Sequence, residues 1–460
     1  MPIIATFMVP HPPMLIPGVD RADIGKANDT LSALEKVGQE IAKLKPDTII
    51  LSSPHAEAYA DYFEISDGEV VTGSFAQFGV PNITFRCQYD YELVERISLM
   101  AKIQQFPAGT EGNEERFLDH GTMVPLFFVN KHYTSYRLVR VGLSGLPLIQ
   151  HYRFGELVKK ACDESGKRIV FIASGDLSHC QKEDGPYGFS PEGPEYDKKI
   201  MDVMQRGAFG ELFDFSSTFL EKAEECGHRS FAIMAGTLDR TAVRAKRLSH
   251  EAPCGVGYGV CAYFPLGPDD SRSFAEAYFS HQALGVRNQR AAADPYVRLA
   301  YEAIETYIKT ATELTLRDVP LALTTQRSGV FVSIHEFDQL RGCIGTTQPT
   351  QANVGKEIIN NAIAASTEDP RFSRIELKEL PYLDISVDVL SPSEPITSLA
   401  ELNPKKYGLI VENNGRRGLL LPDLPSVETA DDQVAICKKK AGIAPDEPVK
   451  LYRFTVVRHH

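Results

Sequence analysis

Four histidines stand directly after strand-like or turn-like segments of this chain: His11 in MVPHPPMLIP, His55 in ILSSPHAE, His120 in FLDHGTMVPL and His179 in IASGDLSHCQ. Imidazole ordinarily titrates near neutral pH, so it serves both as a general acid or base and as a ligand for divalent transition metals. Two imidazoles and one carboxylate around an ion leave positions open for a substrate and O2. The carboxylate has several candidates in EKAEECGHRSFAIMAG, which offers Glu221, Glu224 and Glu225, with Cys226 beside them, ahead of a helix. Nine of the twelve histidines fall within residues 1–281, which places histidine chemistry in the first part of the chain. Of these, His132, His151, His250 and His281 read as hydrogen-bonded or solvated side chains. Ser174 and Asp176 read first as a helix N-cap, with orientation of His179 as the other use of Asp176. Tyr59 and Tyr62, shortly after His55, read as packing residues before pocket walls.

For these imidazoles to meet, the elements before them must end at a common edge. Residues 3–9, 48–51, 137–141, 168–173 and 258–265 are short apolar, β-branched runs, and 29–44, 91–103, 195–206 and 230–240 carry apolar residues at helical spacing. Asn28 or Asp29 would cap the first helix. Strands and helices in alternation predict an α/β domain with a mainly parallel or mixed central sheet covered on both faces. Ligands of such sheets bind outside the carboxyl ends of the strands, where His11, His55 and His179 fall.

LGPDDSRS marks a break near residue 270, and a long helical stretch follows it. Strands are expected at 329–334, 383–390, 408–411, 419–421 and 449–457, with helices near 353–366 and 431–441. That mixture predicts a smaller α+β domain. The expected organisation is therefore 1–267, a linker at 268–289, and 290–460.

Composition narrows the function classes. The chain has 460 residues, 43% of them hydrophobic, enough for packed cores and too many for extensive disorder. A formal charge of −12 and no dense Lys/Arg stripe argue against nucleic acid as a partner. No uncharged apolar run approaches the roughly 18 residues of a membrane span. The N-terminus lacks a basic segment and is broken by Pro2, Pro10, Pro12, Pro13 and Pro17, unlike a signal peptide. Eight cysteines with no CxxC pair read as reduced thiols. A cytoplasmic protein is expected.

The second part carries QLRGCIGTTQP, in which Gly342 and Gly345 flank Cys343 and Ile344 in a pattern suited to a tight turn. Asn414-Gly415 between apolar runs signals a hairpin, its polar connection lengthened by Arg416 and Arg417. A reactive Cys343 would need a lowered pKa and a base, for which Arg341 and His335 are the candidates. Its hydrophobic neighbours favour a buried thiol instead, and small-molecule or partner binding competes with catalysis as the use of this domain.

HPP near the N-terminus, SPH after the second strand, DHG followed by VP, and SGDLSH together resemble the LigB-like class III extradiol ring-cleavage dioxygenases and the related MEMO proteins, over residues 1 to about 267. The resemblance implies ferrous iron held by His11, His55 and Glu225, with His179 as acid–base residue and His120 near the metal ligands or the substrate. Small aromatic diols and O2 would be the reactants. The ECG segment also resembles MEMO, which makes Cys226 the alternative third ligand and the site softer. LRGCIGT, DPRF and LYRF in that order resemble the AMMECR-type domain over about 290–457, implying an α+β fold and no particular activity. These resemblances further imply a homo-oligomer and a radical-SAM partner protein. Two other readings follow from the same crevice: a MEMO-like metal- or ligand-binding protein without ring cleavage, and a zinc-dependent hydrolase.

Overall fold

The computed structural model describes residues 1–19, 27–112, 117–424 and 427–460, which divide into two compact units, Met1–Tyr278 and Phe279–His460. In chain order the first unit holds β1 (Ile3–Val9), α1 (Asn28–Leu44), β2 (Thr48–Ser52), the short β3 (Phe63–Glu64), β4 (Val70–Phe75), β5 (Val80–Gln88), α2 (Tyr91–Ile103), the short β6 (Ala108–Gly109), α3 (His120–Asn130), β7 (Arg137–Val141), α4 (Leu148–Asp163), β8 (Ile169–Ser174), α5 (Glu192–Arg206), α6 (Ser217–Ala223), α7 (His228–Gly236), β9 (Thr241–Glu251) and β10 (Tyr258–Pro268).

Its six-stranded sheet has the order β7-β2-β8-β1-β10-β9. Neighbours from β7 to β1 are parallel, whereas β10 lies antiparallel to both β1 and β9. The central strands read as unbroken apolar runs because both of their faces are buried. Ala5, Phe7 and Val9 join the core formed with α1 and α3, while α7 packs on β8 and against α4. Edge strand β9 escapes the sequence reading because its charged residues Arg244, Lys246 and Arg247 leave it little apolar period. Helix α1 starts one residue before the predicted range; Ala27 stands at its N-cap, so neither Asn28 nor Asp29 caps it. The helix expected to reach Arg240 ends at Gly236. Among the described residues no helix is long and apolar enough to cross a membrane.

Helix α8 (Phe274–Ala292) takes in the point where the units divide and covers most of the segment read as a linker. After it come α9 (Pro295–Thr310), α10 (Leu321–Thr325), β11 (Val330–Glu336), β12 (Gln339–Gly345), α11 (Val354–Thr367), β13 (Leu383–Leu390), β14 (Glu394–Ile396), β15 (Gly408–Asn413), β16 (Arg416–Leu420), α12 (Ala430–Lys440), β17 (Lys450–Phe454) and β18 (Val456–His459). They form two four-stranded sheets, β12-β11-β13-β18 and β14-β17-β15-β16. The single strand expected over 449–457 is two, because its halves join different sheets. Asn413 pairs with Arg416, so Asn414-Gly415 alone makes the turn, with φ of 48° and 78°, and the arginines belong to the strand.

LRGCIGT is also a strand and not the expected tight turn. It forms β12, an edge strand on β11. Its glycines supply space: a Cβ on Gly342 would stand 2.2 Å from the Ala365 carbonyl oxygen of α11, and one on Gly345 2.2 Å from the Phe331 ring.

Candidate metal centre

Three neighbouring parallel strands deliver the candidate residues. His11 follows β1, His55 follows β2, and Asp176 and His179 follow β8, all at the carboxyl edge of the sheet. His11 is buried, His55 is exposed, and His120, His179 and Cys226 are half-buried. The Nε2 atom of His11 lies 3.1 Å from His55 Nε2 and 3.8 Å from Cys226 Sγ. The donor atoms of His11, His55 and Cys226 all lie within 4.8 Å of one another, and so do those of Asp176, His179 and Cys226.

The hydrogen bonds behind His11 fix its proton. Ser174 Oγ donates to the Gly121 carbonyl at 2.6 Å and lies 2.9 Å from His11 Nδ1. A hydroxyl has one proton to give, so Ser174 accepts from His11 Nδ1–H, and Nε2 keeps its lone pair. The Asp176 carboxylate accepts the backbone N–H of His11 at 2.9 Å. Ser174 and Asp176 thus hold His11, and the helix N-cap expected of them is absent, since β8 runs into a loop.

His120 opens α3 with its ring centroid 4.0 Å from that of His55 and 5.5 Å from that of His11. It stands beside both three-donor sets without joining either among the described residues. The Nδ1 of His179 meets the Glu224 carbonyl, which leaves Nε2 as its basic nitrogen, and its ring lies 5.0 Å from that of Tyr187.

Burial, followed by the neighbouring His55, pushes His11 down to about 3. Burial, then His55 and His11, pushes His120 to about 4, and partial desolvation also lowers His55. These imidazoles are neutral at neutral pH, with lone pairs available to a cation. Burial, then the nearby Asp176 and Glu225, raises the Cys226 thiol well above its ordinary range, and burial raises Asp176. Lone pairs that face one another at 3.1 Å repel unless a proton or a cation lies between them. The donor set fits a divalent transition metal: bonds of about 2.0–2.1 Å to nitrogen and 2.3 Å to sulfur place tetrahedral ligand atoms roughly 3.3–3.6 Å apart. Binding would convert the thiol to a thiolate and release its proton.

Residues 5–261 match the family described as the catalytic LigB subunit of aromatic ring-opening dioxygenase, and 297–459 match AMMECR1. Protein CA_C1420 of Clostridium acetobutylicum is 38% identical, with 98% of each chain covered. The chain belongs to the LigB family. A Thermotoga maritima protein is 48% identical over 168 residues, 36% of this chain and 97% of the relative. The crystal structure of protein PH0010 from Pyrococcus horikoshii shares 35% identity over 35% of this chain and 88% of its own, with a TM-score of 0.34.

Within the LigB-family domain one expected ligand lies apart from the others. Glu225 does not stand with the imidazoles. Its Oε2 accepts the His228 backbone N–H at 2.6 Å, on the first turn of α7, and burial raises its carboxyl to about 7. Glu225 bridges Ser178 in extended backbone, where successive side chains point to opposite sides, so Cys226 faces the crevice instead. Cys226 accepts the Asp176 N–H at 3.3 Å. Three of the four histidines set aside in the sequence are occupied elsewhere, His132 with Glu35, His250 with Asp197, and buried His151 with Ser144 and Pro147, and His281 is exposed. Ser174, Ser53 and Gly121 were missed as parts of the site. The one sequence signal for them was the placement of SSPH, DHG and SGD at element ends.

In the AMMECR1 domain Cys343 finds neither expected helper. Ser333 stands opposite it, with Oγ 3.3 Å from the thiol, while His335 pairs with Leu340. The Arg341 guanidinium binds Glu379 and the Ser373 carbonyl. The Cys343 N–H donates to Asp369 Oδ2 at 2.9 Å, and Arg371 donates to the Cys343 carbonyl at 3.3 Å. The DPRF segment thereby covers the free edge of β12.

Proposed function

We propose that the LigB-family domain is a metal-dependent enzyme in which His11, His55 and Cys226 hold one divalent ion, and that it acts as an extradiol-type dioxygenase on a small aromatic diol. The observation that carries this reading is the convergence of three ligand atoms within 4.8 Å, beside two further histidines. A bound ferrous ion would supply Lewis acidity and an open face for substrate and O2. His179, with Nδ1 engaged by the Glu224 carbonyl, takes a hydroxyl proton at Nε2 and returns it to the product. His120, neutral, accepts or donates one hydrogen bond to the substrate beside His55. Asp176 keeps His11 in register through its backbone N–H.

A second reading has its own support. Cys226 in place of a carboxylate makes the donor set softer, which favours zinc and either oxygen-independent chemistry or metal binding alone. Protein purified without oxygen, loaded with Fe2+ or Zn2+ and supplied with catechol separates the two. The dioxygenase reading expects one metal per chain and stoichiometric O2 uptake in the iron form, lost in His179→Ala while metal stays bound. Iron bound without O2 uptake, or turnover confined to the zinc form, transfers the conclusion to the second reading. A protein that binds neither metal overturns both.

A further inference from the structure

We propose that Asp119 is the positioning residue of the centre: through the first turn of α3 it sets where the imidazoles of His11, His55 and His120 stand relative to one another. The consequence for metal binding rests on the metal-centre reading; the geometry does not.

Asp119 is the N-cap of α3, with Oδ1 accepting Thr122 N at 2.9 Å and Oδ2 accepting Thr122 Oγ1 at 2.8 Å. An ordinary cap would end there. Here Oδ1 also accepts Ser53 Oγ at 2.6 Å, and Ser53 Oγ accepts the His55 backbone N–H at 3.2 Å, so the loop after β2 hangs on the same carboxylate. His120 is the first residue of the capped turn. The next residue, Gly121, offers the carbonyl that orients Ser174 and, through it, His11 Nδ1. Three imidazoles from three distant segments thus reach one helical turn.

Two details show how closely the turn is fitted. A Cβ on Gly121 would lie 2.4 Å from Ser53 Oγ, 3.0 Å from Asp119 Oδ1 and 3.2 Å from His55 Cδ2, so no other residue lets α3 sit this near. Fully buried Arg140 places Nη1 3.4 Å from Asp119 Oδ2, while its Nε donates to Ser66 Oγ and its Nη1 to the Phe117 carbonyl. Burial raises the Asp119 carboxyl, but Arg140, Ser53 and Thr122 outweigh it and hold it ionised.

Cobalt(II) is the probe, on the full chain, with wild type, Asp119→Asn and Ser53→Ala. Loss of a partner behind a metal ligand ordinarily weakens binding about 10–100-fold. Asp119→Asn is expected to weaken Co2+ binding by about that range and to shift the thiolate-to-cobalt and ligand-field bands. Ser53→Ala, which keeps the Asp119–Arg140 pair, should move both readouts in the same direction by less. A merely architectural cap would lower thermal stability and leave the cobalt spectrum of the folded protein unchanged, which would overturn the proposal. Should Asp119→Asn fail to fold, Ser53→Ala decides by the same criteria. If wild type binds no cobalt, the metal-centre reading fails, and ring 15N resonances of the metal-free histidines decide instead. Unchanged His11, His55 and His120 signals in Ser53→Ala, and in Asp119→Asn where it folds, would then overturn the positioning role.

Discussion

The crevice of the first unit and strand β12 of the second both carry short motifs built from a reactive residue type and glycine, yet they use them oppositely. In the crevice the side chains are the product of the fold: His11 and Cys226, 215 residues apart, come within 3.8 Å because β1 and β8 are neighbours and α7 follows a loop at the same edge. At β12 the main chain is what neighbouring groups hold. Asp369 and Arg371 take the N–H and C=O of Cys343, and the glycines beside it make room for α11 and Phe331. A motif becomes a candidate for chemistry when segments distant in sequence aim side chains at one point. The same residue types in one paired strand read as architecture.

Metal affinity is the largest quantity that can break this contrast. Removing one of the three proposed ligands from the crevice is expected to weaken Zn2+ or Co2+ binding by roughly three orders of magnitude, about 4 kcal/mol. His11→Ala, His55→Ala and Cys226→Ala should all show it in chelator-competition titrations. Cys343→Ala should leave the affinity of the full chain unchanged. Glu225→Ala sharpens the comparison, since a carboxylate that serves the first turn of α7 should alter affinity far less than its neighbour. An equal loss in Cys343→Ala, or a larger loss in Glu225→Ala than in Cys226→Ala, would undo the assignment.

Gly342 tests the other side. Its Cβ direction is blocked by a backbone carbonyl, which cannot rotate away, so Gly342→Ala must push α11 off the sheet. Overpacking of this kind costs about 1–3 kcal/mol, and the short distance favours the upper end. Hydrogen exchange of β11 and β12 in the intact chain should show the loss, while β1 and β8 stay protected. Asp369→Ala should cost slightly less, about 2 kcal/mol, by leaving the Cys343 N–H and Arg371 without their acceptor. Full protection in both variants would remove the architectural reading of the motif.

How much of this was legible in the sequence follows the same division. The buried parallel strands and amphipathic helix α2 were placed to within a residue, and α5 was found with its start three residues late, since apolar period reports burial directly. The meeting of His11 and His55 at one edge was legible because sheet topology decides where strand ends lie. Which of Glu225 and Cys226 faces the crevice was not, because it depends on which way two adjacent side chains point in a loop bridged to Ser178. Nor was α3, whose first turn gathers the histidines: HGTMVPLFFVN is apolar all round and contains Pro125, so no helical period marks it. β12 was misread for a related reason, since glycines placed for packing look like glycines placed for a turn.

The smallest expected effect concerns burial itself, which acts on both units. In the crevice it lowers histidines and leaves them ready for a cation. At the end of β11 it raises Glu336 to about 7, with Glu379 adding to the shift and Arg341 and Lys378 opposing it. A carboxyl raised in the folded state from an ordinary 4.5 favours folding while protonated, and that contribution is lost as pH climbs through about 7. Glu336→Gln, neutral throughout, should therefore be the more stable form at pH 8 and nearly equal to wild type at pH 5. The full shift corresponds to about 3 kcal/mol, and partial exposure of Glu336 reduces the expectation to about 1–2 kcal/mol. Exchange protection of β11, corrected for intrinsic rates and compared at the two pH values, measures it. Parallel profiles for the two proteins would mean that Glu336 ionises freely, and desolvation would then set titration in the crevice alone.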